Sequence, residues 1–154
     1  MRQRVFGLVG VGLLLLLSTS SLAGEPARKH VVLHPSAMRD SFPFSDAVLV
    51  GNTLYVAGTV GFEPGTGKPP ASAEREAKLA MDGLKQVIES EGMTMDDLVS
   101  VQVFSTDFAL YDTFNGVYRT YFHAPYPARA FIGVASLIRG AHFEIMATAV
   151  KQSK

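Results

Sequence analysis

The chain has no cysteine, which excludes both a disulfide framework and a lipid-anchored cysteine at a processed N-terminus. It also lacks an excess of either charge, with 14 lysines and arginines against 14 aspartates and glutamates. Nothing in that balance recruits a phosphate backbone, so nucleic acid is not an expected partner. His30, His34, His123 and His142 have no metal-ligand spacing and read as surface or packing residues, so no metal site is expected. Ser45 lacks a nucleophile's sequence context, and no serine, histidine and aspartate follow one another in a convincing triad order. No internal repeat, linker or low-complexity run follows the first two dozen residues.

What those first residues contain is the chain's one long uncharged stretch, Val5 to Leu17, preceded by Arg2 and Arg4 and followed by Ser18-Thr-Ser-Ser-Leu-Ala23. That order reads as a secretory signal peptide over residues 1–23 with cleavage after Ala23. A membrane anchor needs roughly 20 apolar residues, more than the stretch supplies before the serines begin. The expected mature protein is periplasmic or secreted, with no stable membrane association. Losing Arg2 and Arg4 leaves 12 basic against 14 acidic residues, a formal charge of −2. Residues 24–34 are polar enough for a loose start, and 35–154 make one domain by length. At 47% hydrophobic for the whole chain, a substantial core is expected.

Within that domain, Ala47-Val-Leu-Val50 and Thr53-Leu-Tyr-Val-Ala57 have strand composition, and Gly51-Asn52 between them predicts a hairpin. The glycines and prolines of 61–71 predict a turn-rich connection. Ser72 is a candidate N-cap for an amphipathic helix of about five turns through Ala77, Ala80, Met81, Leu84, Val87 and Ile88, ending at Gly92. Leu98–Phe104 alternates as a strand, and Asp107 or Asp112 starts a second helix through Phe114, Val117, Tyr118 and Tyr121. Two further strands are expected at 130–134 and 143–150, the last with Phe143, Ile145, Ala147 and Ala149 on one face. Two helices cannot cover both faces of such a sheet. Other copies of the chain are the natural cover, and clefts between them would be the natural sites.

Two opposite charges stand in this apolar pattern. Arg129 follows Pro125-Tyr-Pro-Ala, whose prolines stiffen the entry into the strand. Its planar fork suits a two-pronged hold on a carboxylate, and Glu144 on the last strand could position a water or move a proton. On residues alone, a structural ion pair is the simpler account. Asn115 is expected to cap or cross-link its helix, Tyr121 and Phe122 to be core or subunit contacts, and Gly116 to mark close packing against a neighbour.

Pro43-Phe-Ser-Asp-Ala47, Leu54-Tyr-Val-Ala-Gly58, Phe114-Asn-Gly-Val-Tyr118, Tyr121-Phe122, Pro127-Ala-Arg129 and Phe143-Glu-Ile145, in this order and spacing, closely resemble the reactive-intermediate deaminase (Rid or YjgF-like) family over about residues 30–151. The resemblance implies an α+β, chorismate-mutase-like fold: a mixed sheet with two helices on one face, in a homotrimer with sites at subunit interfaces. It implies hydrolysis of 2-imino or enamine acids to 2-oxo acids and ammonia, with no metal or organic cofactor. Arg129 would bind the substrate carboxylate and Glu144 would orient or activate the hydrolytic water. Phe44, Ala57, Gly58 and Phe131 match substrate-binding positions.

Three of these depart from the commonest family pattern: Phe44 stands for a tyrosine, Ala57 for a serine and Phe131 for a cysteine. The expected site is more apolar, with a preference shifted toward bulkier side chains. Each lost hydroxyl contact is worth on the order of 1 kcal/mol. The alternative reading is a binding module that holds a small carboxylate without turning it over. Ribonuclease activity, attributed to some relatives, is a poor third, because no basic cluster is present.

Overall fold

The computed structural model describes residues 27–33 and 42–152, and the expected leader over 1–23 lies outside them. The elements are β1 (Arg28–Val31), β2 (Ala47–Val50), β3 (Thr53–Val60), α1 (Ala73–Ser90), β4 (Leu98–Ser105), α2 (Tyr111–Tyr118), β5 (Ala128–Gly133) and β6 (Phe143–Val150). One six-stranded sheet runs in the order β1-β2-β3-β6-β4-β5. Every pairing is antiparallel except β4 with β5, whose parallel arrangement requires the crossover that α2 provides. The result is an α+β fold with a mixed sheet.

The hairpin of β2 and β3 closes across Gly51-Asn52, with Val50 opposite Thr53 and Gly51 at a φ of 61°, which favours glycine there. Ser72 caps α1, its hydroxyl accepting from the Arg75 amide at 3.3 Å. Asp107 caps a short 3-10 turn that leads into α2, accepting from the Ala109 amide at 2.8 Å. β5 begins two residues earlier than its composition suggests and so includes Arg129. Arg28–Val31, inside the segment read as a loose start, forms an edge strand on β2. Its sequence is polar because three of its four side chains are exposed. The Asp46 carboxylate accepts from the Leu33 amide at 2.7 Å and so ties this segment to the hairpin.

Both helices lie on one face of the sheet. Leu54, Val56, Val101, Val103, Phe143 and Ile145 are buried there under Ala77, Ala80, Met81, Leu84 and Ile88 of α1 and Phe114 of α2. The alternation expected for β6 is present, with Phe143, Ile145, Ala147 and Ala149 buried. Among the described residues no helix covers the opposite face, and apolar side chains stand open on it: Tyr55 is 53% exposed and Met146 40%. Among the described residues, no helix is long and apolar enough to cross a membrane.

Candidate active site

Arg129 and Glu144 do not pair within one chain. Arg129 lies opposite Val101, which is buried under the helices, so its side chain leaves the sheet on the helix-covered face. Glu144 alternates with the fully buried Phe143 and Ile145, so its carboxylate stands on the open face. Strand alternation therefore keeps the two from forming an ion pair within one chain.

Arg129 sits on β5, at the end of the sheet order, with its guanidinium carbon 4.6 Å from the Tyr118 ring centre and 5.8 Å from that of Tyr111. A cation over aromatic faces is held in place without being neutralised. Its one hydrogen bond is long: Nη2 donates to the Tyr111 hydroxyl at 3.5 Å. No carboxylate among the described residues pairs with it. Phe131, two residues on, faces the same way and braces this shelf, edge-on to Tyr111 at 5.0 Å and to Phe114 at 5.8 Å. Arg129, Tyr111, Asn115, Tyr118 and Arg119 line a cleft of about 340 Å³. Burial pushes the Tyr118 phenol up to about 12, with the Arg129 charge opposing the rise, so its hydroxyl stays a neutral donor at ordinary pH.

On the other face, Glu144 lies across Gly58. A Cβ at position 58 would overlap the Glu144 carboxylate, so a glycine there is a spatial requirement of this arrangement. The β3–β6 register shifts between Val56 and Thr59, and this bulge carries Ala57 and Gly58. Phe44 and Ala57 line a hollow of about 670 Å³ with Tyr55 and Met146 on this face, while Phe44 and Gly58 line an adjoining one of about 450 Å³ that reaches round to Gly83 and Val87 of α1. The Glu144 carboxylate makes no hydrogen bond or ion pair with another described residue.

Six candidate residues thus fall into two groups, Arg129 with Phe131 on one face and Phe44, Ala57, Gly58 and Glu144 on the other. Sequence reasoning missed four residues that bear on them. Tyr111 and Tyr118 support the guanidinium, Arg119 shares its cleft, and Glu76 fixes the start of β6. Glu76 is fully buried and accepts from the His142 amide at 2.5 Å and the Phe143 amide at 3.1 Å, while its other oxygen meets His142 Nδ1 at 2.7 Å. The available signal was its place beside Ala77, on the apolar stripe of α1. One expectation is corrected in part: Asn115 is buried mid-helix and lines the cleft, and it does not cap α2, which begins at Tyr111. Gly116 lies on the exposed side of α2, where an added Cβ would meet no atom of the same chain within 4 Å.

The family model described as Endoribonuclease L-PSP matches residues 35–151. A 2-iminobutanoate/2-iminopropanoate deaminase of Dermatophagoides farinae is 36% identical over 118 residues, covering 76% of this chain and 92% of that protein. One of Mus musculus is 38% identical over 110 residues, covering 71% and 82%. The crystal structure of E. coli TdcF with bound serine matches at a TM-score of 0.72 and 29% identity, covering 80% of this chain and 100% of that one. The order of the motifs, the two-helix mixed sheet and these matches converge on one statement: the chain belongs to the Endoribonuclease L-PSP family, the family of the reactive-intermediate deaminases.

Proposed function

We propose that the protein hydrolyses small 2-imino acids to 2-oxo acids and ammonia, at sites built from the two faces of neighbouring copies. The observation that carries this reading is a pair of unneutralised charges on opposite faces. Among the described residues, Arg129 is held on an aromatic shelf with no carboxylate partner, and Glu144 is laid over Gly58 with no cation. One chain cannot bring them to one substrate. A second copy, docking its open face near the β5 edge, can do so, and in a closed homotrimer every Arg129 would meet a neighbour's Glu144. The relatives named as imine deaminases support the same chemistry.

In this arrangement the Arg129 fork grips the substrate carboxylate, and the imine carbon faces Glu144. Glu144 takes one proton from water as its oxygen adds to the carbon of the protonated imine, and returns that proton to the nitrogen. As the C–N bond breaks, the hydroxyl proton passes to Glu144 and the carbonyl forms, and Glu144 then hands that proton to the departing ammonia, which leaves as ammonium. An imine carbon is already electrophilic, so positioning and one proton relay suffice. Phe44, Ala57 and Phe131 form apolar walls. The leader pattern of residues 1–23 supports work in the periplasm or outside the cell, and a protein recovered from the cytoplasm with Met1 intact would remove that part.

The test is a supply of 2-aminoacrylate from a serine dehydratase, with pyruvate and ammonia release followed with and without the protein. Faster release is expected. Unchanged release alongside measurable binding of 2-oxobutanoate would instead identify a non-catalytic carboxylate-binding module.

A further inference from the structure

We infer that the Arg129 cleft is built for a ligand with two negative charges, so that the preferred substrate is a 2-imino dicarboxylate. The inference rests on the assignment of Arg129 to the substrate carboxylate. Arg119 follows Tyr118 directly at the C-terminal end of α2, and it lines the same cleft of about 340 Å³ as Arg129. Tyr111, Asn115, Tyr118, Tyr126 and Pro127 complete the lining, and no aspartate or glutamate belongs to it.

Several cations elsewhere in the chain have carboxylate partners, while Arg28 and Lys68, which line no cleft with another cation, have none among the described residues. Arg75 is clamped by Glu63, Lys29 by Glu91 at 2.7 Å, and Lys78 by Asp82 at 3.2 Å. Arg119 and Arg129 have no carboxylate partner among the described residues. Two arginines lining one small concavity give it a double positive charge, and a single bound carboxylate neutralises only one of them. The plain alternative is that Arg119 serves the carbonyl end of α2. Against it, the Arg119 side chain makes no hydrogen bond to those carbonyls. The bonds made there come from its backbone N–H, to Asn115 and Val117. Tyr118 adds an independent sign, since its hydroxyl is a buried side-chain oxygen with no partner, on a residue that lines the cleft. A buried donor without an acceptor is costly, and an incoming acid group supplies one.

Such a substrate arises when a flavin- or nicotinamide-dependent enzyme oxidises an acidic amino acid, its cofactor accepting the α-hydride while the nitrogen loses a proton and a C=N bond is left. Hydrolysis here then adds one water and releases one ammonia, with no oxidant or reductant needed.

Calorimetric titration of the full protein with 2-oxoglutarate, 2-oxobutanoate and inorganic phosphate tests the inference with stable product-like ligands. At low salt, 2-oxoglutarate is expected to bind at least about tenfold more tightly than 2-oxobutanoate. In Arg119→Gln the ratio of the two affinities should fall to within about twofold. Equal affinities in the unmodified protein, a ratio that survives Arg119→Gln, or phosphate binding more tightly than either oxo acid would overturn it. Arg129→Lys separates the two levels of the argument. Weakening of both oxo acids upholds Arg129 as the primary anchor whatever Arg119 does, and weakening of neither overturns the anchor and the inference together.

Discussion

At Gly58 the missing side chain is what admits the Glu144 carboxylate, because a methyl group there would occupy the same space. The obstructing atoms are the far end of a flexible side chain, so Gly58→Ala is expected to change stability by less than about 1 kcal/mol while swinging Glu144 away. Turnover should fall at least about tenfold with little change in the melting temperature. A variant with normal turnover would detach Glu144 from the reaction. Tyr118 offers a second test at the same scale. Burial raises its phenol from 10.0 to about 12, so the folded state favours the protonated form. The stability it contributes is therefore complete below about pH 10 and is lost as pH rises through about 12. Phenolate absorbance should show late-titrating tyrosines among the five, and Tyr118→Phe should remove one of them. Tyr121 supplies another, raised by burial and by its hydrogen bond to Asp82. Tyrosines that all ionise near their ordinary value would refute the buried setting of Tyr118.

At the scale of elements, α1 does more than cover the sheet. Its Glu76 reaches across to the first residues of β6 and sets where Glu144 falls, two residues beyond His142. Glu76→Ala strands two backbone donors, the buried Phe143 amide and the half-buried His142 amide, at a cost of ~2–4 kcal/mol. Glu76→Gln keeps an oxygen for both amides and loses only the His142 link, so its cost should stay within about 1 kcal/mol. Chemical denaturation of the two variants checks this ordering, and equal losses would mean that the histidine contact dominates. Most elements were legible in the sequence because their signals are local: Ser72 caps, Gly51-Asn52 turns, and alternation runs through β6. β1 was not, because an edge strand with three of four side chains exposed carries no apolar pattern. Glu76 was not, because nothing nearby in sequence shows that residues 66 and 67 positions later supply its donors.

For the whole molecule, the sheet has one face under helices and one open, with a single charged candidate on each. If a working site takes Arg129 from one copy and Glu144 from its neighbour, two inactive variants can repair each other. Random mixed trimers of Arg129→Lys and Glu144→Gln chains should recover about a quarter of the unmodified activity, because one pairing in four carries both intact groups. Mixtures as inactive as either variant alone would show that the two residues serve no common site.

The sequence by itself determined the element order, the two-helix α+β class, the family and the residue types able to do chemistry, because capping, alternation and motif spacing are local along the chain. Tertiary structure alone decided that Arg129 and Glu144 leave the sheet on opposite sides, that Arg119 and Tyr118 share the arginine's cleft, and that Glu76 sets β6. Those facts follow from strand pairing between segments far apart in the chain: which face a residue occupies depends on register, and register is set by partners that no local pattern specifies.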